Sequence, residues 1–426
     1  MITIQRAFCE AYSEPLQSPF GFKGSALSNL WQVGVVLESH ACFAQGLGVQ
    51  SVLWSDATVF NTFGEQRGNQ LMLALTRYAL ELLRGTSYSH PSEVLPTILP
   101  AVMRYGRRIT GNPGLRATFA LNALVPVDHA LWLLYAKENR LEDYQRMTCH
   151  SPALTEQHTK LANIPLISYH TPLEEVGSLA EQGICLFKIK IGSDPDSDGD
   201  LEKMLDWDCR RLASIHQVLK QFHSEDTVSG KILYYLDANG RYDSPARLER
   251  LLDHAASIGA LDQIILLEEP FAEENPSEVG NLPVRVAADE SIHSLSDLRR
   301  RISLGYRAVT LKPIAKTLSL TLELAEYAVK ENLCCFCADL TVNPIMVEWN
   351  KNLAARLAPL PELKIGLVES NGAQNYTNWE AMLACHPCPD AGFIRPKDGA
   401  FLLDSSFYQT SGGIYLPFPF PFERST

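Results

Sequence analysis

Ile232-Leu233-Tyr234-Tyr235-Leu236-Asp237-Ala238-Asn239-Gly240 is a short apolar run that stops at an acid, an amide and a glycine. A strand with no polar face must be covered on both sides, which is the habit of strands in parallel sheets. Runs of the same build recur on either side of it. They are Ile164–His170, Leu186–Gly192, Gln263–Pro270, Val284–Ser291, Ala308–Pro313, Cys334–Leu340 and Lys364–Ser370, which brings the total to eight. Stretches of helical periodicity separate them, such as Pro245–Ile258 and Leu318–Asn332. Eight strands alternating with helices predict an α/β fold of the (β/α)8 (TIM) barrel type over residues 151–375. The alternative is an open doubly wound sheet, but no glycine-rich first turn follows any of these runs.

Residues 1–150 read differently. Trp31–Leu37 predicts a strand, Cys42-Phe43 leads into another before Gly46 and Gly48, and helical patterns follow over Gln70–Leu83 and Ala117–Lys137. Strands first and helices later predict a small α+β domain. The segment 376–426, closing with Phe418-Pro419-Phe420-Pro421-Phe422, cannot form a regular helix there and is expected to pack back on the body.

The 426 residues are 46% hydrophobic and 20% charged, the balance of a globular chain. Forty-nine acids against 37 bases give a net charge of -12, which argues against a nucleic-acid partner. No apolar run of membrane-spanning length and no leader pattern is evident, so a cytoplasmic location with no membrane partner is expected. The ten cysteines, including Cys185 and the group Cys334, Cys335, Cys337, read as reduced core residues. Cys385-His386-Pro387-Cys388 has metal-pair spacing, but lacks further ligands and reads as a loop.

The chemistry lies in the strand ends. Unpaired charges are costly inside buried strands, yet Lys188 and Lys190, Asp237 with Asn239, Glu268-Glu269, Asp289-Glu290 and Lys312 close five successive strands. Those carboxyl ends form the rim where such barrels keep their active sites. Side chains alternate along a strand. Lys188 and Lys190 therefore share a face, and only one of Glu268 and Glu269 can reach the mouth. Three carboxylates from adjacent strands call for a divalent cation, and an all-oxygen donor set favours Mg²⁺, with Mn²⁺ as substitute. Lysines flank this set from both sides. The combination suits abstraction of a proton next to a carboxylate, with the metal stabilising the enediolate and a lysine of lowered pKa as base. A strand-six lysine is also the mark of Schiff-base aldolases, but a metal triad has no role there. His170 and His293, beside the rim, are expected to cap or lie at the surface.

Lys188-Ile189-Lys190, Leu236–Gly240, Leu267-Glu268-Glu269-Pro270, Ala288–Ser291 and Leu311-Lys312-Pro313 resemble the motif series of the enolase superfamily, most of all its muconate-lactonizing subgroup within the mandelate racemase/muconate lactonizing enzyme family. The resemblance makes residues 1–150 a capping domain and Val127–Trp132 part of the helix before the barrel. It implies Asp237, Glu268 and Asp289 as metal ligands, Lys190 and Lys312 as acid/base groups on opposite faces, and Lys188 beside Lys190 at the substrate carboxylate. Asn239 and Glu290 would support the ligands from outside. Loops around Ser18–Lys23 and Gln50–Trp54 would close over the mouth.

Two departures stand out. Many relatives carry Gly-Gly after the strand-six lysine, where this chain has Ile314-Ala315-Lys316-Thr317-Leu318. Glu369-Ser370-Asn371-Gly372 replaces the Asp-x-Asp of dipeptide epimerases and looks closer to the Glu-Ser-Gly turn of succinylbenzoate synthases and N-acylamino acid racemases. Glu369 could still hold an ammonium there. The expected activity is racemisation or epimerisation of a small, amino-acid-derived carboxylate. The alternatives are an o-succinylbenzoate-synthase-like dehydration, a cycloisomerisation and a non-catalytic metal-binding relative. A homo-oligomer is expected from the resemblance.

Overall fold

The computed structural model describes residues 1–22 and 25–421. The chain is mixed α/β, with a separate N-terminal sheet domain and a barrel-like sheet. The first sheet is an antiparallel meander of β1 (Arg6–Phe22), β2 (Ser25–Glu38) and β3 (Phe43–Gln50). Residues 18–22 do not form the loop expected of them. They prolong β1 to a hairpin tip, with Phe20 opposite Leu27, while Lys23 lies outside the described residues. The register slips between Pro15 and Phe20, a bulge that re-aims the strand where Leu16 meets Tyr376 of the barrel side.

Two helices pack on this sheet, α1 (Ala57–Leu83, kinked at Gly64) and α3 (Ala117–Glu138), and α2 (Val94–Thr110) packs against both of them. By length and composition α3 could cross a membrane, but 94% of its apolar window is buried in the fold, so it is a core helix. It lies hard against β3: a Cβ at Gly46 would collide with the Pro126 carbonyl and the Ala130 backbone.

The barrel-like sheet comprises β4 (Lys160–Ile164), β5 (Leu166–Ile167), β6 (Leu186–Lys190), β7 (Leu233–Asp237), β8 (Ile264–Glu268), β9 (Val286–Ala288), β10 (Ala308–Leu311), β11 (Cys334–Cys337), β12 (Gly366–Glu369) and β13 (Ala400–Leu402). All pairs from β5 round to β12 and on to β4 are parallel. Pro165 breaks the first barrel strand, so that β4 pairs with β12 and β5 with β6, and the Pro165 carbonyl accepts the Lys188 amide at 3.2 Å. One interrupted strand thus closes the sheet. That strand starts earlier than its apolar run suggests, and His170 falls in an exposed turn. The antiparallel β13 on β4 is where the C-terminal segment packs back. Helices such as α4 (Pro245–Ser257) and α5 (Leu318–Lys330) cover the outer face. The pattern read from the sequence, a buried parallel barrel behind an α+β domain, is the observed one.

Candidate active site

The strand ends deliver their charged side chains to one cavity under the N-terminal hairpin. Its lining includes Lys188, Lys190, Asp237, Asn239, Glu268, Glu290, Lys312, Glu369 and Asn371. Parity decides who enters. Lys188 and Lys190, two apart on β6, both face inward. Glu268 lines the cavity, whereas Glu269 turns behind it and accepts from the Asp289 amide at 2.7 Å and the Ser291 hydroxyl at 3.0 Å, with Arg301 4.0 Å away. Glu269 is thus a brace for the neighbouring strand end. Ser370 lies outside this cavity, since Glu369 and Asn371 on either side of it are the ones turned in.

The turn after β7 shows why the sequence reads Asp-Ala-Asn-Gly. Asn239 and Gly240 both sit at positive φ (43° and 74°), and the Asn239 amide donates to Asp237 Oδ1 at 3.1 Å. Asparagine tolerates that conformation and glycine adopts it freely. A Cβ at Gly240 would press on the Ala272 backbone at 3.2 Å.

Ammonium and carboxylate groups interleave. Lys188 Nζ meets Asp237 at 3.0 Å, Glu369 at 3.1 Å and Glu268 at 3.2 Å, and stands 4.7 Å over the Tyr235 ring. Lys190 donates to Asp237 at 2.7 Å and to Asn239 Oδ1. Lys312 pairs with Asp289 Oδ2 beneath the Trp54 ring, 5.3 Å from its centroid. Asn239 Nδ2 donates to Glu290 at 3.1 Å. Burial alone would raise Asp237, but Lys188 and Lys190 outweigh it and hold the carboxyl down to about 2. Lys312 and Lys316 likewise overcome burial and keep Asp289 well below the carboxylate range. Burial dominates at Glu268, with the Asp289 charge adding to it, and pushes this acid up despite Lys188.

The sequence reading expected a lysine with lowered pKa. Burial does pull Lys188 and Lys312 down, but their acidic neighbours prevail and set both above the usual lysine value. The reason is the number of carboxylates facing each ammonium.

Glu268, Asp289 and Glu290 bring one oxygen each within 4.8 Å of one another. Both Glu268 oxygens and Glu290 Oε2 are buried without a hydrogen-bond partner. An all-oxygen set with uncommitted lone pairs fits a hard divalent cation. Asp237, expected as a ligand, stands beside this group with its charge taken by two lysines. Glu290, expected only in support, belongs to it. Cys385, His386 and Cys388 form no such group among the described residues. All ten cysteines are free, and Cys149 is exposed rather than in the core. His293 bonds Glu273 at 2.8 Å.

Three features escaped the sequence reading. Asp339, at the end of β11, lines the cavity, and the rule applied to strands two to six would have found it on strand seven. Lys316, fully buried, donates to the Asp289 carbonyl and sits 3.3 Å from its Oδ1. Thr317 follows at φ 75°, ψ 150°, a region suited to glycine. The third is the apolar wall of Leu16, Leu27, Leu30, Leu166 and Leu340. No motif marks it, because its members come from distant segments.

Residues 173–366 match the family described as enolase C-terminal domain-like. The fold matches solved structures over nearly the whole chain. The L-Ala-D/L-Glu epimerase of Bacillus subtilis, in a substrate-liganded complex, is 15% identical, with 88% of this chain and 92% of that one covered at a TM-score of 0.64. A putative mandelate racemase/muconate lactonizing enzyme from Sorangium cellulosum is 20% identical, with coverage of 95% and 96% and a TM-score of 0.62. An enolase-superfamily member from Roseovarius nubinhibens, complexed with magnesium, is 17% identical, with coverage of 95% and 94% and a TM-score of 0.64. No curated protein matches the chain. The barrel region thus resembles an enolase C-terminal domain over residues 173–366, and it is joined to an N-terminal sheet domain in the fold those structures share.

Proposed function

We propose that this protein is a Mg²⁺-dependent enzyme that removes and returns a proton on the carbon next to a substrate carboxylate, as a racemase or epimerase. The observation that carries this reading is the cavity itself: an all-oxygen cluster in which several buried oxygens have no hydrogen-bond partner, with lysines from β6 on one side and from the end of β10 on the other. Relatives of this fold include a dipeptide epimerase from Cytophaga hutchinsonii complexed with Mg and a dipeptide. Mn²⁺ fits the same donors.

Glu268 and Asp289 hold the cation, with Asp237 or Glu290 completing the set. Bound there, the metal supplies the positive charge that offsets the charge gathering on the substrate carboxylate when its α-proton leaves. Lys190 takes or returns the proton on one face and Lys312 on the other. Each is drawn toward acids in the structure, Lys190 to Asp237 and Lys312 to Asp289. A carboxylate committed to a cation would hold a neighbouring ammonium less firmly, which favours the neutral amine that a proton acceptor must be. Lys188, tied to three carboxylates, stays charged and faces the substrate carboxylate. Trp54 covers Lys312 and keeps water from it. The kinship to the muconate-lactonizing subgroup rests on the Lys188-x-Lys190 pair with Lys312.

Exchange of the α-proton in D₂O, followed by NMR on a panel of N-acylamino acids, dipeptides and hydroxy acids with Mg²⁺ and with EDTA, tests the reading. Loss of an α-proton signal only with Mg²⁺ is expected. Product of inverted configuration marks an epimerase, and an alkene marks a dehydratase. Exchange that persists in EDTA would sink the metal-dependent mechanism.

A further inference from the structure

The cavity has two walls of opposite character. The rim of the barrel is charged, and the opposite wall is apolar: Leu16, Leu27, Leu30 and Trp54 from the N-terminal domain, with Leu166 and Leu340 from the barrel. None of these six is more than 9% exposed. A substrate carboxylate held among the lysines therefore sends its far end toward this wall.

An ammonium at that end would need an acid with room to accept. Among the described residues lining the cavity, Asp339 and Glu369 are the acids that stand outside both the metal cluster and the Asp237 lysine pair. Both are already engaged. Asp339 Oδ1 accepts from the Leu340 amide at 2.8 Å and the Val342 amide at 3.3 Å, and its Oδ2 accepts from the Asn371 amide at 2.8 Å. Glu369 Oε2 accepts from Lys188 and from the Asp339 amide, both at 3.1 Å, and Asn371 Nδ2 lies 3.3 Å from Oε1. These bonds tie the ends of β11 and β12 together, and a side chain that staples two strand ends is not free to turn toward a ligand. Burial, and then the Glu369 charge, also raise Asp339 to about 7, so its attraction for a cation is weak near neutrality.

We propose that the substrate is a carboxylate whose far end is an uncharged apolar group seated against Leu16, Leu27, Leu30 and Leu340, and not an ammonium. The proposal rests on the reading of the rim as the carboxylate end of the site, and it separates this chain from neighbours crystallised with dipeptides. Water leaves the apolar wall when such a group binds, whereas a charged one would lose its own hydration without a partner.

The test uses a pair of probes that differ only in that charge. N-hexanoyl-alanine and N-(6-aminohexanoyl)-alanine share the same acyl carbon chain, and the second ends in an ammonium. Calorimetric titration of the Mg²⁺-loaded protein is expected to show N-hexanoyl-alanine binding at least tenfold tighter than N-(6-aminohexanoyl)-alanine, and tighter than N-acetyl-alanine. Leu27→Asp is expected to narrow the first ratio, with Mg²⁺ affinity as the check that the site remains folded. Equal or tighter binding of N-(6-aminohexanoyl)-alanine, or no gain over N-acetyl-alanine, would overturn the proposal in the wild-type protein alone. α-Proton exchange on the same compounds reports separately on the reaction. Selective binding without exchange would refute the acid/base chemistry and leave the apolar far end standing.

Discussion

Lys190, Asp237, Glu268 and Lys312 reach the cavity from strand ends of a closed sheet, whereas Leu16, Leu27 and Leu30 reach it from a bulged hairpin that merely leans on that sheet. The two regions border the same space by different means. On the barrel side each side chain is fixed by strand parity, with Lys190, Asp237 and Glu268 held by charge partners at 2.7 to 3.2 Å and Lys312 by Asp289. On the hairpin side the residues are apolar, interchangeable in kind, and placed by a register slip between Pro15 and Phe20. On the proposed reading, the chemistry belongs to the barrel strand ends, and the hairpin contributes to selection. Substitutions on the barrel side should abolish turnover, and those on the hairpin side should redirect it.

The largest expected effect breaks the chemistry and spares the fold. Lys190→Ala and Lys312→Ala should each lower metal-dependent α-proton exchange by roughly 10² to 10⁴, with circular dichroism and Mg²⁺ binding retained. A Lys190→Ala protein with unchanged exchange would remove that lysine from the mechanism.

This contrast also explains what was legible in the sequence. The rim motifs are local: acid or lysine at the end of an apolar run, with alternation deciding the inward face, so Lys188, Lys190 and Asp237 could be placed without coordinates. The Glu268/Glu269 ambiguity is one of parity, and the register of β8 with β9 decides it. Asp339 obeyed the same rule and was passed over. By contrast, Leu16 and Leu340 lie more than 300 positions apart in the chain and become neighbours only through the docking of hairpin on barrel. The bond from Gln32 to Tyr376, 2.9 Å long, belongs to that docking and leaves no local trace. The extension of residues 18–22 into the hairpin depends in the same way on pairing with Ser25–Leu27.

A second prediction sharpens the barrel side by asking which acid completes the cation site. Glu268→Gln and Asp289→Asn should each weaken Mg²⁺ binding at least tenfold, about 1.4 kcal/mol or more, by calorimetry. Asp237→Asn and Glu290→Gln then divide the two candidate sets. If Asp237 is a ligand its variant matches the first two. If Glu290 takes that place, Asp237→Asn leaves Mg²⁺ affinity nearly intact while releasing Lys190 from its partner.

The hairpin side has its own rigid point, Gly46. Its collision partners are backbone atoms of α3, which cannot step aside as a flexible side chain could. Gly46→Ala should therefore destabilise the N-terminal sheet by about 1–3 kcal/mol or more, seen as a lowered unfolding temperature. Retained Mg²⁺ affinity would show that the barrel does not depend on the packing above it. A variant as stable as wild type would mean that α3 is free to shift away from β3.

The smallest effect returns to the barrel side, at Thr317. A β-branched residue at φ 75°, ψ 150° sits where glycine is at home, and such a conformation costs on the order of 1–3 kcal/mol. The side chain gives something back by accepting the Leu320 amide at 3.3 Å as the helix N-cap. Replacing a Thr cap by Gly loses only a few tenths of a kcal/mol, and the freer unfolded chain costs roughly 0.5–1 kcal/mol more. Relief of strain exceeds the sum of the two for most of that range. Thr317→Gly should stabilise the protein by about 1 kcal/mol, with a rise in unfolding temperature of roughly 1–2 °C. It should leave Mg²⁺ affinity unchanged if Lys316 keeps its hold on Asp289. A fall in affinity in a stabilised protein would show that the strained threonine serves to aim Lys316 at the cation site. That would be a case on the barrel side where backbone strain, and not strand parity, sets the position of a charge.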